Sequence, residues 1–110
     1  MAFDENLAAQ VRRLLQAESA RMTERRMFGG LAFMRNGNML CAVGADHLML
    51  RVGPEAYAHA LRLPHASEMR FTGRTMRGYV TVYRAGYDTP AKLQTWIEMG
   101  LAFVRTLAPK

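Results

Sequence analysis

The chain has 110 residues, half of them hydrophobic, and its fifteen Lys and Arg outweigh nine Asp and Glu for a formal charge of +6. That length suits one domain, residues 1–110, built on one core, and the apolar residues nowhere form the run of about 18 that a helical membrane span requires. Asp4 and Glu5 stand where a secretory signal places positive charge, and the single Cys41 cannot form an internal disulfide, so a cytoplasmic protein with no membrane partner is expected.

From Asp4 to Glu18, Leu7, Val11, Leu14 and Leu15 recur at helical spacing, with Asp4 suited to cap the free N–H groups of the first turn. The period then changes. Leu31 to Met34 lead into Asn36-Gly37, a dipeptide suited to a two-residue hairpin turn, and Met39 to Val43 return as a second strand. Gly44-Ala45-Asp46 turns the chain into a third strand, Leu48 to Val52. Gly53-Pro54 opens a second helix to about Leu63, since proline is well tolerated at the first helical position. A short strand follows near Glu68 to Thr72, then a loop from Gly73 to Gly78, then a fifth strand from Tyr79 to Tyr83. Asp88-Thr89-Pro90 starts a closing helix with an apolar stripe of Leu93, Trp96, Ile97, Leu101 and Val104.

The order is αβββαββα, an α+β two-layer sandwich with a mainly antiparallel five-stranded sheet. Two strands lack the alternation of a half-exposed sheet: Leu31 and Phe33 are apolar on one side, Ala32 and Met34 on the other. Both sheet faces are therefore expected to be covered, and a partner subunit in a homodimer is one way to supply that cover.

No constellation for catalysis stands out, and no catalytic, metal-binding or cofactor-binding residue is assigned. His47, His59 and His65 lack ligand spacing, and the phosphate-loop and serine-elbow motifs are absent. Cys41 sits among apolar neighbours and reads as a buried structural thiol. Nine methionines raise the question of a copper(I) site, but Met34, Met39, Met49, Met69 and Met76 fall on different elements, which points to core filling. Gly29-Gly30 reads first as a backbone bend at a strand entrance, with close ligand approach the rarer meaning.

Thirteen of the fifteen bases are arginine, and they group. Arg21, Arg25 and Arg26 precede the glycine pair; Arg70, Arg74, Arg77 and Arg84 surround the second hairpin near Phe71, Tyr79 and Tyr83. Arg25, Arg26, Phe28, Gly29, Gly30, Arg70, Arg74, Arg77 and Tyr79 form the candidate binding surface. Arginine beside aromatic residues suits stacked single-stranded bases and protein interfaces alike, while a basic solvated face is the commonest meaning of such charge.

The string Arg26-Met27-Phe28-Gly29-Gly30, followed by Phe33, Asn36-Gly37, Leu50-Arg51-Val52-Gly53, Phe71-Thr72-Gly73-Arg74, Gly78-Tyr79 and Trp96, resembles the N-terminal domain of the TfoX/Sxy family. The resemblance runs from about Arg21 to Leu107. It implies an αβββαββα fold similar to type III secretion chaperones and offers no catalytic residues. Full-length members are associated with regulating competence genes for DNA uptake and carry a second, helical domain. This chain ends at Lys110, after the closing helix, so a stand-alone N-terminal form is expected. The favoured expectation is a non-catalytic regulatory or protein-binding module. Direct nucleic-acid binding is second, and an enzyme or small-ligand carrier with a pocket near Gly29-Gly30 third.

Overall fold

The computed structural model describes residues 3–110. Asp4 caps helix α1 (Glu5–Leu14) by accepting from the Leu7 N–H at 3.0 Å. The helix stops short of Glu18 and continues as a 3-10 turn, Gln16–Arg21. After buried Leu15, the positions one turn on are Glu18 and Ser19, which give the core nothing to hold a further α-helical turn.

The described residues form a six-stranded antiparallel sheet in the order β1-β2-β3-β4-β6-β5, one strand more than the sequence predicts. The strands are β1 (Met22–Met27), β2 (Gly30–Arg35), β3 (Asn38–Val43), β4 (His47–Arg51), β5 (Ala66–Phe71) and β6 (Arg74–Tyr83). The additional strand is β1. Its sequence, Met-Thr-Glu-Arg-Arg-Met, is strongly polar, and only its two end residues are partly buried. Pairing with β2 makes it a strand, from Met27↔Gly30 to Met22↔Arg35.

Three hairpins close on the same kind of turn. Phe28-Gly29, Asn36-Gly37 and Thr72-Gly73 each place two successive residues at positive φ, the requirement of a turn whose twist matches that of paired strands. The stretch expected as a Gly73 to Gly78 loop is therefore a tight turn and the start of β6, which bends at Gly78 (φ 84). The Gly78 carbonyl accepts from the N–H groups of both Val52 (2.8 Å) and Gly53 (3.0 Å). Helix α2 is shorter than expected, Tyr57–Arg62, and lacks a side-chain cap. Helix α3 (Pro90–Val104) starts as predicted, with Thr89 accepting from the Lys92 N–H and Pro90 in the first turn.

The main core lies between the helices and one sheet face, where Phe33 and Trp96 are both buried, as the sequence predicts. Helix α3 approaches β3 and β4 closely at Gly100, where a methyl group would meet Leu40 and Leu50 at 2.8 and 3.0 Å. The chain after α3 is tied to the β2–β3 turn: Asn38 Nδ2 donates to the Ala108 carbonyl and the Lys110 N–H to that of Asn36, both at 2.9 Å.

The opposite face is also covered, and by the chain itself. Ala32, Met34, Met39, Ala42, Met49 and Met69 form a second buried cluster, with Met27, Phe28, Met76 and Tyr79 packed against it. Met69 and Met76 come from the β5–β6 hairpin, which lies at the far edge of the sheet from β1 and β2, so the hairpin must curl back over this face. One expectation is corrected: Ala32 and Met34 need no partner subunit for cover. The methionines fill core as expected, and Met34, Met39, Met49 and Met69 gather in one layer although the sequence scatters them over separate strands. Flexible thioethers suit the irregular space between a curved sheet and its overlying hairpin.

Candidate binding surface at the hairpin tips

The curl brings two distant turns together. Phe28, between β1 and β2, meets Phe71, at the end of β5, with ring centroids 4.8 Å apart and planes at 80°. This edge-to-face contact helps hold Phe28 at a φ of 57°, a region costly for a bulky residue. Phe71 pairs across the hairpin with Arg74, and Arg70 with Thr75. Phe71 remains 43% exposed on the same side of the hairpin as Arg74, while the exposed Arg70 and Arg77 alternate to its other side. Arg70 has a carboxylate neighbour, Glu68, at 3.5 Å.

The candidate set thus divides. Phe28, Gly29, Arg70, Arg74 and Arg77 belong to the two tips or the strand beside them. Arg25 is exposed on β1 opposite Ala32. Arg26, one residue on, turns to the helix side and sets its guanidinium 5.5 Å from the centre of the Phe3 ring. Gly30 is buried, and a Cβ there would stand 2.1 Å from the Val43 carbonyl oxygen. Tyr79 is half-buried, with the Arg51 guanidinium 5.4 Å from its ring centre and as far from that of Phe103. Gly30 and Tyr79 are therefore structural. Phe71, which the sequence marks only as a neighbour of the arginines, is the most available aromatic at the tips.

A second feature goes unseen in the sequence together with β1. A groove of ≈ 600 Å³ runs between α1 and β1, lined by Arg12, Arg13, Leu15, Gln16, Ser19, Met22, Thr23, Glu24 and Phe33. One wall is fixed by a bidentate pair, in which Arg12 donates to both Glu24 carboxylate oxygens at 2.6 and 2.9 Å. Only a strand at Met22–Met27 could have revealed this groove in the sequence.

Below the groove, Glu18 joins three parts of the chain by accepting from Arg35 on β2 and from Arg105 just beyond α3. Burial pushes its pKa up, but hydrogen bonds and charge from the two arginines outweigh that and hold the carboxyl below the usual range. Folding thus favours the ionised form. Its stabilisation is complete above the ordinary glutamate range and is lost as pH falls through the depressed folded value. Glu18→Gln is expected to cost about 1–2 kcal/mol at neutral pH and to flatten the acid limb of stability. Urea titrations over a pH series measure this; an acid limb identical to wild type would assign the pH dependence elsewhere. Cys41 offers no reactive group here, since full burial drives its thiol pKa far up.

Fold and surface together define a small α+β domain in which one helix-backed antiparallel sheet presents arginine-flanked hairpin tips. Residues 13–104 match the TfoX N-terminal domain, and the chain belongs to that family. No curated protein and no solved structure matches it.

Proposed function

We propose that this domain is a non-catalytic regulatory module of the cytoplasm that works by binding a protein partner. The observation that carries the reading is Phe71, exposed at the meeting of two hairpin tips with Arg74 opposite it, on a hairpin that also exposes Arg70 and Arg77. Aromatic and arginine side chains dominate the energetic centres of protein interfaces. Membership of the TfoX N-terminal family supports a regulatory role, through the family's link to competence genes. A homodimer is compatible with this reading, but must use a surface other than the Ala32 and Met34 face, which the chain already fills. A small-ligand site at the glycine pair has little support: Gly29 faces open space, and the Val43 carbonyl occupies the room beside Gly30.

Nucleic-acid binding is the second reading, favoured by the same arginines. Salt separates the two, because phosphate contacts release condensed counterions and weaken steeply as salt rises. A pull-down from native lysate is expected to recover the same protein with and without nuclease. Labelled single-stranded and duplex DNA are expected to bind weakly at low salt and not at all near physiological salt. Tight DNA binding at physiological salt, reduced by Arg74→Ala with Arg77→Ala, would put the nucleic-acid reading first.

A further inference from the structure

We infer that the free edge of β1 is a docking site for an extended segment of a protein partner in which acidic and apolar residues alternate, added to the sheet as a further strand. The inference rests on the protein-binding reading and specifies the partner's chemistry.

Strand β1 is terminal in the sheet. Its two-residue turn makes Met27 and Gly30 a hydrogen-bonded pair, so the antiparallel ladder's alternation turns the backbone groups of Met22, Glu24 and Arg26 away from β2. The Met22 N–H is taken by the Ser19 carbonyl, which closes that end. The N–H and C=O of Glu24 and Arg26 and the C=O of Met22 are directed outward, the arrangement that templates strand addition.

Side chains choose the occupant. Residues of an added strand that lie opposite Glu24 and Arg26 share their side of the sheet, the side of the α1–β1 groove with its apolar Leu15, Met22 and Phe33. Apolar residues fit there. The alternate residues fall beside Thr23 and Arg25, on the side where Arg21 and Arg25 have no carboxylate partner among the described residues. Acidic residues fit there. A second copy of the chain fits less well: centred on Glu24, twofold antiparallel pairing sets Glu24 against Glu24, and centred on Arg25 it sets Arg25 against Arg25 and brings only the charged Glu24 and Arg26, no apolar residue, opposite each other on the groove side.

The test is fluorescence anisotropy on the full chain with a short labelled peptide of alternating valine and glutamate. Its controls are a scrambled peptide of the same composition and an alternating valine–lysine peptide. A Kd on the order of 10 μM is expected for the first, with both controls at least about tenfold weaker. Arg25→Glu should weaken the valine–glutamate peptide about tenfold. Glu24→Pro removes an outward N–H without a bond to β2 and should abolish binding; its thermal melt checks that it folds, and Arg25→Glu decides the matter if it does not. Equal binding of alternating and scrambled peptides, or no effect of Arg25→Glu, would overturn the inference. So would failure of the peptide while a nuclease-resistant protein partner is still recovered, an outcome that leaves the protein-binding reading standing. Loss of both removes both.

Discussion

Trp96→Ala is expected to lower stability by about 3–5 kcal/mol, the cost of truncating a large buried aromatic. Trp96 is 5% exposed in the main core, and its indole Nε1–H donates to the Gly86 carbonyl at 3.1 Å. It therefore ties α3 to the short segment after β6 and also fills the space beneath it. Trp96→Phe separates the two roles: most of the packing stays while the Gly86 carbonyl loses its donor, at a cost of about 1–2 kcal/mol. Total stability for a domain of this kind is roughly 5–15 kcal/mol, so the alanine variant should be marginal at physiological temperature and the phenylalanine variant folded. Urea unfolding followed by circular dichroism reads both. Equal losses would show that the hydrogen bond, and not the packing, carries the site.

The second large effect lies in the glycine pair, whose members are glycine for different reasons. Gly29 has a φ of 72°, and a methyl group added there would have nothing within 4 Å, so it needs only the conformation. Gly29→Ala should cost about 1–2 kcal/mol, the usual penalty of the left-handed region. Gly30 needs space, because a methyl group there would stand 2.1 Å from the Val43 carbonyl oxygen and 2.9 Å from its carbon, backbone atoms that cannot move without separating β2 from β3. Gly30→Ala should therefore cost about 3 kcal/mol, the upper end of overpacking. Thermal melts of the two variants side by side test the order. If Gly29→Ala proved the more damaging, the turn and not strand spacing would be the constraint in this motif.

Elements whose own residues encode them are legible in the sequence. The cap at Asp4, the Asn36-Gly37 turn and Thr89-Pro90 at the start of α3 each depend on a local preference, and each stands where expected. Strand β1 is not legible, because Glu24, Arg25 and Arg26 carry no strand signal of their own and take their conformation from β2. Its one clue is the Phe28-Gly29-Gly30 string, which suggests a bend in the sequence and is a hairpin turn of the same type as Asn36-Gly37 in the structure. The second hairpin is expected but its turn is placed too late, at Gly73 to Gly78, since threonine at positive φ is rare enough to hide Thr72-Gly73 as the turn. The candidate surface is legible as a set of arginines and aromatics but not as a place. Its two halves meet only through the Phe28–Phe71 contact, which depends on sheet curvature that no local pattern records.

The strand order also governs how the molecule assembles. Strands β1 to β4 follow one another through short turns, and β5 and β6 form a hairpin of their own, so two units of low contact order can each form quickly. They are joined in the sheet along one seam, the β4–β6 ladder from His47↔Tyr83 to Arg51↔Tyr79, which closes a loop containing α2 and β5. The buried methionine layer spans that seam on the face opposite the helices, with Met34, Met39 and Met49 from one unit and Met69 from the other. That layer therefore fastens the two units on one side of the seam, as Leu48, Leu50, Val80 and Val82 of the main core do on the other.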